Sequence, residues 1–91
     1  MALLDLLGRR WALRVLWELR HEDAPTFRDL QARCGDISSS VLSQRLRELR
    51  EAGIVTAEVG GGYSLTKEGR RLLELLAPID AWAKRWATRM G

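Results

Sequence analysis

Apolar positions run along the chain in short blocks, and their spacing changes twice. Leu3, Leu4, Leu6 and Leu7 make one or two apolar helical turns that end near Gly8. Between Arg10 and Arg20, the residues Trp11, Val15, Leu16 and Leu19 recur at helical spacing. The polar run RHEDAP closes that segment, and Phe27 beyond it is placed to anchor in a core. TFRDLQARCG predicts a second helix. Thr26 and Asp29 form a pair like a capping box, with aspartate in place of the usual Glu or Gln. Gly35 stands where a helix C-terminal glycine belongs. After the short connection Gly35–Asp36–Ile37, helical spacing returns in ISSSVLSQRLRELREAGIV at 37–55. Leu42, Leu46 and Leu49 form its core stripe, with Val41 at the edge and Gly53 as its stop.

The period then shortens. IVTAEV and YSLT are strand-like runs joined by Gly60, Gly61 and Gly62, a pattern that predicts a β-hairpin. Thr66 caps a last helix whose apolar positions are Leu72, Leu73, Leu75, Leu76, Ile79, Trp82 and Trp86. Pro78 falls inside that helix and is expected to kink or split it. The order is helix, helix, helix, hairpin, helix. It predicts a mostly α fold with a small β-hairpin wing (α+β), a winged helix-turn-helix, as one domain over residues 1–91. A first strand of the small sheet is expected around Pro25 and Phe27.

The outer face of the third helix carries the candidate chemistry. At about 100° per residue, Ser40, Ser43, Gln44 and Arg47 fall together, opposite the leucine stripe. Small hydroxyls let a helix lie close to a major-groove floor. Gln44 can pair with adenine, and Arg47 with guanine or phosphate. Ser38 suits the helix cap, which leaves a helix N-terminus, favourable to phosphate, facing outward. Taken alone, Ser38 to Ser40 also fit a plain cap and loop. Their place after a tight turn and before a hairpin favours DNA.

Composition narrows the classes. The 91 residues carry a net charge of +3, with Lys67 and Lys84 the only lysines, so arginine supplies the basic character. Arginine's planar donor fork suits phosphate and base edges, and this balance is compatible with nucleic acid without demanding it. His21 is the only histidine and Cys34 the only cysteine. Metal catalysis and the usual nucleophilic triads therefore lack parts, and neither an enzyme nor a cofactor is expected. A lone cysteine in an apolar position gives no disulfide and is expected as a small core residue. MALLDLLGRR does not read as a secretory signal and no run approaches a membrane span, so the cytoplasm is the expected location.

Four tryptophans are many for so small a core. The N-terminal (2–8) and C-terminal (66–90) helices are therefore expected as dimerisation elements, through Leu3, Leu6, Leu7, Leu76, Ile79, Trp82 and Trp86. Arg70, Arg71, Lys84, Arg85 and Arg89 are expected on a solvated face.

LLGRRWALRVLWEL at 6–19, TFRDLQ at 26–31, ISSSVLSQRLRELREAGIV at 37–55, YSLTKEGRRLL at 63–73 and the proline of LLAPIDAW resemble an HxlR-type regulator, a branch of the MarR-like winged-helix transcription factors. The resemblance covers nearly the whole chain. It implies a homodimer on a pseudo-palindromic operator in double-stranded DNA, with repression as the expected outcome. By position it implies that Ser39, Ser40, Ser43, Gln44 and Arg47 read bases and that Thr26 and Arg28 touch backbone phosphate. Arg45 and Arg50 flank the reading face as lesser candidates. It leaves room for a small-molecule effector without naming one. The chain departs from the pattern in three places: MALLDL carries no cysteine before the first long helix, Thr26 stands where a basic residue is common, and the wing EVGGGY is short, with Glu58 and no arginine. The other class considered is a winged-helix module for protein association, without an operator.

Overall fold

The computed structural model describes residues 2–91. In chain order it contains α1 (Ala2–Leu7), α2 (Ala12–Glu18), α3 (Phe27–Cys34), α4 (Ser39–Glu51), β1 (Val55–Ala57), β2 (Tyr63–Leu65) and α5 (Lys67–Met90). The core is filled from every helix but the last. Val15, Leu16, Leu19, Leu30, Cys34, Ile37, Leu42, Leu46 and Leu49 are buried, closed by Ile54, Val55 and Leu65 from the hairpin side. Leu72, Leu73 and Leu76 of α5 pack against this cluster from outside.

Local chemistry sets the helix ends. At α3 the Thr26 hydroxyl accepts the Asp29 amide at 3.1 Å, and the Asp29 carboxylate accepts the Thr26 amide at 3.0 Å, completing the capping box. Those bonds hold the Asp29 carboxyl below the usual carboxylate range. At α4 the Ser38 hydroxyl accepts the Val41 amide at 3.2 Å. The helix ends in a Schellman motif. Gly53, at φ 76°, donates to Arg50 O at 3.0 Å, Ile54 donates to Leu49 O at 2.9 Å, and both Leu49 and Ile54 are buried. At α5 the Thr66 hydroxyl accepts the Gly69 amide at 3.0 Å.

Three expectations change. The helix expected from Arg10 begins at Ala12, as α2, because Trp11 sits left-handed at φ 76°. No strand forms around Pro25 and Phe27. Tyr63 donates to Pro25 O at 2.9 Å, but proline has no amide to return and Ala24 turns the chain at φ 48°. Pro78 does not split α5, which runs unbroken for 24 residues. The forgone hydrogen bond leaves free only the carbonyl of Glu74, an exposed residue where water can take its place.

The dimer assignment also divides. Leu7 is buried within its own chain, and Leu6 and Leu76 are half-buried against the same core. A side chain already closed in its own core is not free for a second copy, so Leu7 leaves the interface set. Leu3, Ile79, Trp82 and Trp86 are exposed.

Candidate nucleic-acid interface

The approach of α3 to α4 is fixed by one side chain. Gln31 of α3 donates its amide to the Ser39 hydroxyl at 3.0 Å and to the Ile37 carbonyl at 3.4 Å. The short connection is thereby pinned to both helices, and Ser39 keeps only its own O–H to offer outward. Ser38 and Ser40 share a hydrogen bond between hydroxyls at 3.3 Å. Ser40, Ser43, Gln44 and Arg47 are exposed on one continuous stripe of α4, two small hydroxyls beside two long donors. The only side-chain hydrogen bond of Gln44 among the described residues is a long one, 3.5 Å from its amide to the Glu48 carboxylate.

Among the described residues some arginines are tied to carboxylates, while Arg10, Arg71, Arg85, Arg89 and three more near the helix-turn-helix are not. Arg33 pairs with Asp23 at 2.5 Å, which holds the Asp23 carboxyl low. Arg14 pairs with Glu18 at 2.8 Å, Arg70 with Glu22 at 3.1 Å, and Arg9 and Arg45 both with Glu48. Arg28, Arg47 and Arg50 are exposed and have no carboxylate partner among the described residues. These three lie on the first turn of α3 and along α4. Arg45 does not join them. Its Nε donates to the Arg10 carbonyl at 3.0 Å and its terminal nitrogen pairs with Glu48, so its guanidinium is engaged within the chain.

Between α4 and the hairpin runs a trough that the sequence reading did not foresee. One hollow of about 430 Å³ is lined by Arg47, Arg50, Glu51, Val55 and Thr56. Another of about 250 Å³ is lined by Phe27, Ser43, Leu46, Arg47, Arg50 and Tyr63. Arg47 and Arg50 border both. Thr56 and Tyr63, which line these hollows, were not among the candidates read from the sequence. The alternation in IVTAEV, with Val55 inward, carried the signal for Thr56. Tyr63 is placed by its pairing with Ala57 across the hairpin, and the sequence alone leaves that register open.

The wing is short and bare. The Glu58 amide donates to the Gly62 carbonyl at 2.9 Å, the Gly61 amide donates to the Glu58 carbonyl at 3.0 Å, and the Ser64 hydroxyl donates to the Glu58 carboxylate. The acid is therefore turned onto the hairpin. The tip consists of Val59, Gly60 and Gly61, all exposed.

Cys34 is buried at the end of α3. Burial pushes its thiol up, and the Arg14 charge pulls the other way more weakly. Among the described residues no cluster of His, Cys, Asp and Glu could hold a metal ion, and no helix is long and apolar enough to cross a membrane.

A helix-turn-helix with a polar outer stripe, unpaired arginines beside it and a hairpin behind it defines a winged-helix DNA-binding protein. The profile of HxlR-like helix-turn-helix proteins matches residues 6–90, and the chain belongs to that family. It is 33% identical over 88 residues to YvaP of Bacillus subtilis (strain 168), described as an uncharacterized HTH-type transcriptional regulator, covering 90% of this chain and 81% of that one. A quinone-bound structure of YodB from B. subtilis superposes with a TM-score of 0.83 at 30% identity, covering 92% of this chain and 93% of that one. A possible HxlR family transcriptional factor from Thermoplasma volcanium GSS1 superposes with a TM-score of 0.85 at 26% identity, covering 93% and 81%. The protein is a DNA-binding transcriptional regulator and not an enzyme.

Proposed function

We propose that the chain acts in the cytoplasm as a homodimeric repressor that occupies a pseudo-palindromic operator. The observation that carries this reading is the placement of three exposed arginines without a carboxylate partner among the described residues, Arg47 and Arg50 on α4 and Arg28 on the first turn of α3, in the two helices of the helix-turn-helix. Ser39, Ser40, Ser43, Gln44 and Arg47 would read base edges in the major groove. Arg28 and Arg50 would bind phosphate, and so would the outward O–H of Thr26. Ser38 would act chiefly as the cap that keeps the N-terminus of α4 open to phosphate. Gly60, Gly61 and Gly62 would form a slim, uncharged wing, so affinity would rest on α4 and the trough behind it.

The dimer would form through exposed Leu3, Ile79, Trp82 and Trp86, extended by Leu4, Leu75 and Met90, with Leu6 and Leu76 at its inner edge. The relative YodB has crystal structures in a quinone-bound and a diamide-treated form. The buried, thiol-form Cys34 of this chain gives no support for the same chemistry here, and an effector, if one acts, would bind without it.

The test is selection of bound duplexes from a random pool, followed by a salt titration on the winner. An enriched inverted repeat, bound by two copies, is expected. Its affinity should fall linearly with log salt at about 0.9 per phosphate neutralised. Absence of any enriched repeat would overturn the operator reading.

A further inference from the structure

Glu48 lies one turn after Gln44 on α4, and groups from two parts of the chain converge on its carboxylate. Its side chain is 14% exposed, in a region where charge is not left unpaired. Arg9, from the turn between α1 and α2, reaches one oxygen at 3.3 Å. Arg45 pairs with the other, and the Gln44 amide lies 3.5 Å away. Arg45 also donates its Nε to the carbonyl of Arg10 at 3.0 Å. The turn at residues 8–11 is thus tied to the recognition helix twice, once through Glu48 and Arg9 and once through Arg45 and a backbone carbonyl.

That turn needs a tie. Of the six residues of α1 only Leu7 is buried, so packing holds this helix weakly. Trp11, immediately after the turn, is held at φ 76°, where a bulky side chain stays only if its surroundings fix it. Burial by itself would raise the Glu48 carboxyl. The hydrogen bonds from Arg45 and Gln44 and the charges of Arg45 and Arg9 outweigh that and hold it below the usual range. The tie is therefore charged and closed at neutral pH.

We propose that Glu48 is a positioning residue that locks the N-terminal helix onto the recognition helix and so sets the separation of the two reading faces in the dimer. The inference rests on the reading of α1 as part of the dimer interface. If α1 carries one copy against the other, the angle between α1 and α4 fixes where each α4 meets its groove. Neutralising Glu48 leaves Arg9 without a partner and Arg45 with the carbonyl alone. The fold keeps its apolar core, while α1 gains freedom to pivot.

The experiment uses the full chain in two parts. Hydrogen exchange of the amides of residues 8–12 is compared among wild type, Glu48→Gln and Arg9→Gln. Both variants are expected to exchange faster there by about tenfold, the size of one charge-assisted hydrogen bond, with α3 and the hairpin unchanged. Unchanged exchange at this turn in both variants overturns the lock, whatever the DNA does. Binding is then measured on the selected operator and on duplexes with one base pair added or removed between half-sites. Wild type is expected to lose about tenfold or more for either change, and both variants to lose less than about threefold. A spacing penalty equal to that of wild type would overturn the role in setting separation. If wild type selects no inverted repeat, the operator reading fails and the spacing claim with it, while the exchange result still decides the lock. Arg9→Gln, at an exposed residue that leaves the Arg45–Glu48 pair intact, keeps the test valid if Glu48→Gln does not fold.

Discussion

In the proposed reading, Gln44 and Arg28 would present donors of different reach to a duplex, and the difference is measurable. Gln44 has two donors and an acceptor on one planar amide, enough to recognise the edge of a single base. Gln44→Ala is expected to cost about 1–3 kcal/mol of discrimination at one operator position and little at others. Arg28, at the rim of α3, offers charge without a base to read. Arg28→Ala is expected to weaken all duplexes alike and to lower the salt slope by about one. Titrations of each variant on operator and mismatched duplexes at several salt concentrations separate the two, and equal weakening everywhere by both would mean that Gln44 reads no base. Acid supplies a second test. Asp23, Asp29 and Glu48 all have carboxyls held below their ordinary values in the folded chain. Their contribution is present above the unfolded carboxylate pKa and is lost as pH falls through the lowered folded values. Stability by chemical denaturation should therefore be flat near neutrality and drop on acidification below about pH 4, less steeply in Asp29→Ala. The exposed polar stripe of α4 was legible because a helix repeats at a fixed angle, which assigns a side to every residue. The fate of Arg45 was not, because its partner is a carbonyl 35 residues away. A helical wheel gives the direction of a side chain and says nothing of what meets it.

The joints between elements depend on two glycines with opposite surroundings to a third. Gly62 lies at φ 89°, and a Cβ there would stand 2.3 Å from the Ala24 carbonyl oxygen. This is where the hairpin meets the loop before α3. Gly69 lies in the first turn of α5, and a Cβ there would stand 2.1 Å from the carbonyl oxygen of Ile54, the residue that ends the Schellman motif. In an open helix, replacing glycine by alanine stabilises by about 1 kcal/mol. At Gly69 the backbone contact reverses the sign. Gly62→Ala and Gly69→Ala are each expected to lower unfolding free energy by about 1–3 kcal/mol, while Gly60→Ala, with open space around it, should be near neutral. Urea midpoints of the three variants check this, and a stabilised Gly69→Ala would mean that α5 does not dock on Ile54 as described. The caps of α3, α4 and α5 could be read from sequence because each is a local event, one hydroxyl and an amide three residues on. The missing first strand and the unbroken α5 could not. The former turned on how Ala24 bends the chain and the latter on the exposure of one carbonyl, and both are settled by tertiary surroundings.

Shape sets the last argument. The protein measures 44 × 27 × 25 Å, and a helix of 24 residues spans about 36 Å. Past Pro78, α5 buries little: Trp82 and Trp86 stack with ring centroids 6.3 Å apart, and both are about half exposed. Leu75, Ile79 and Met90 add exposed apolar surface to this helix, and Leu3 and Leu4 add more on α1. Exposed apolar side chains in that number on a small chain favour an interaction site. A second copy is the occupant that also fits the DNA reading, since two-fold pairing presents two recognition helices to successive major grooves about 34 Å apart. Trp82→Glu tests the link between assembly and binding. Because the side chain lies outside the core, the helical content by circular dichroism should not change. Sedimentation should show a monomer, and affinity for the paired operator should fall by about 10²–10⁴-fold, the loss expected when the second half-site becomes a separate encounter. Affinity for a single half-site should stay near that of wild type. A Trp82→Glu protein that remains dimeric with full operator affinity would place the interface elsewhere. Weak half-site binding with intact helical content would instead show that the tryptophan face shapes the recognition helix directly, and does not act only by pairing two of them.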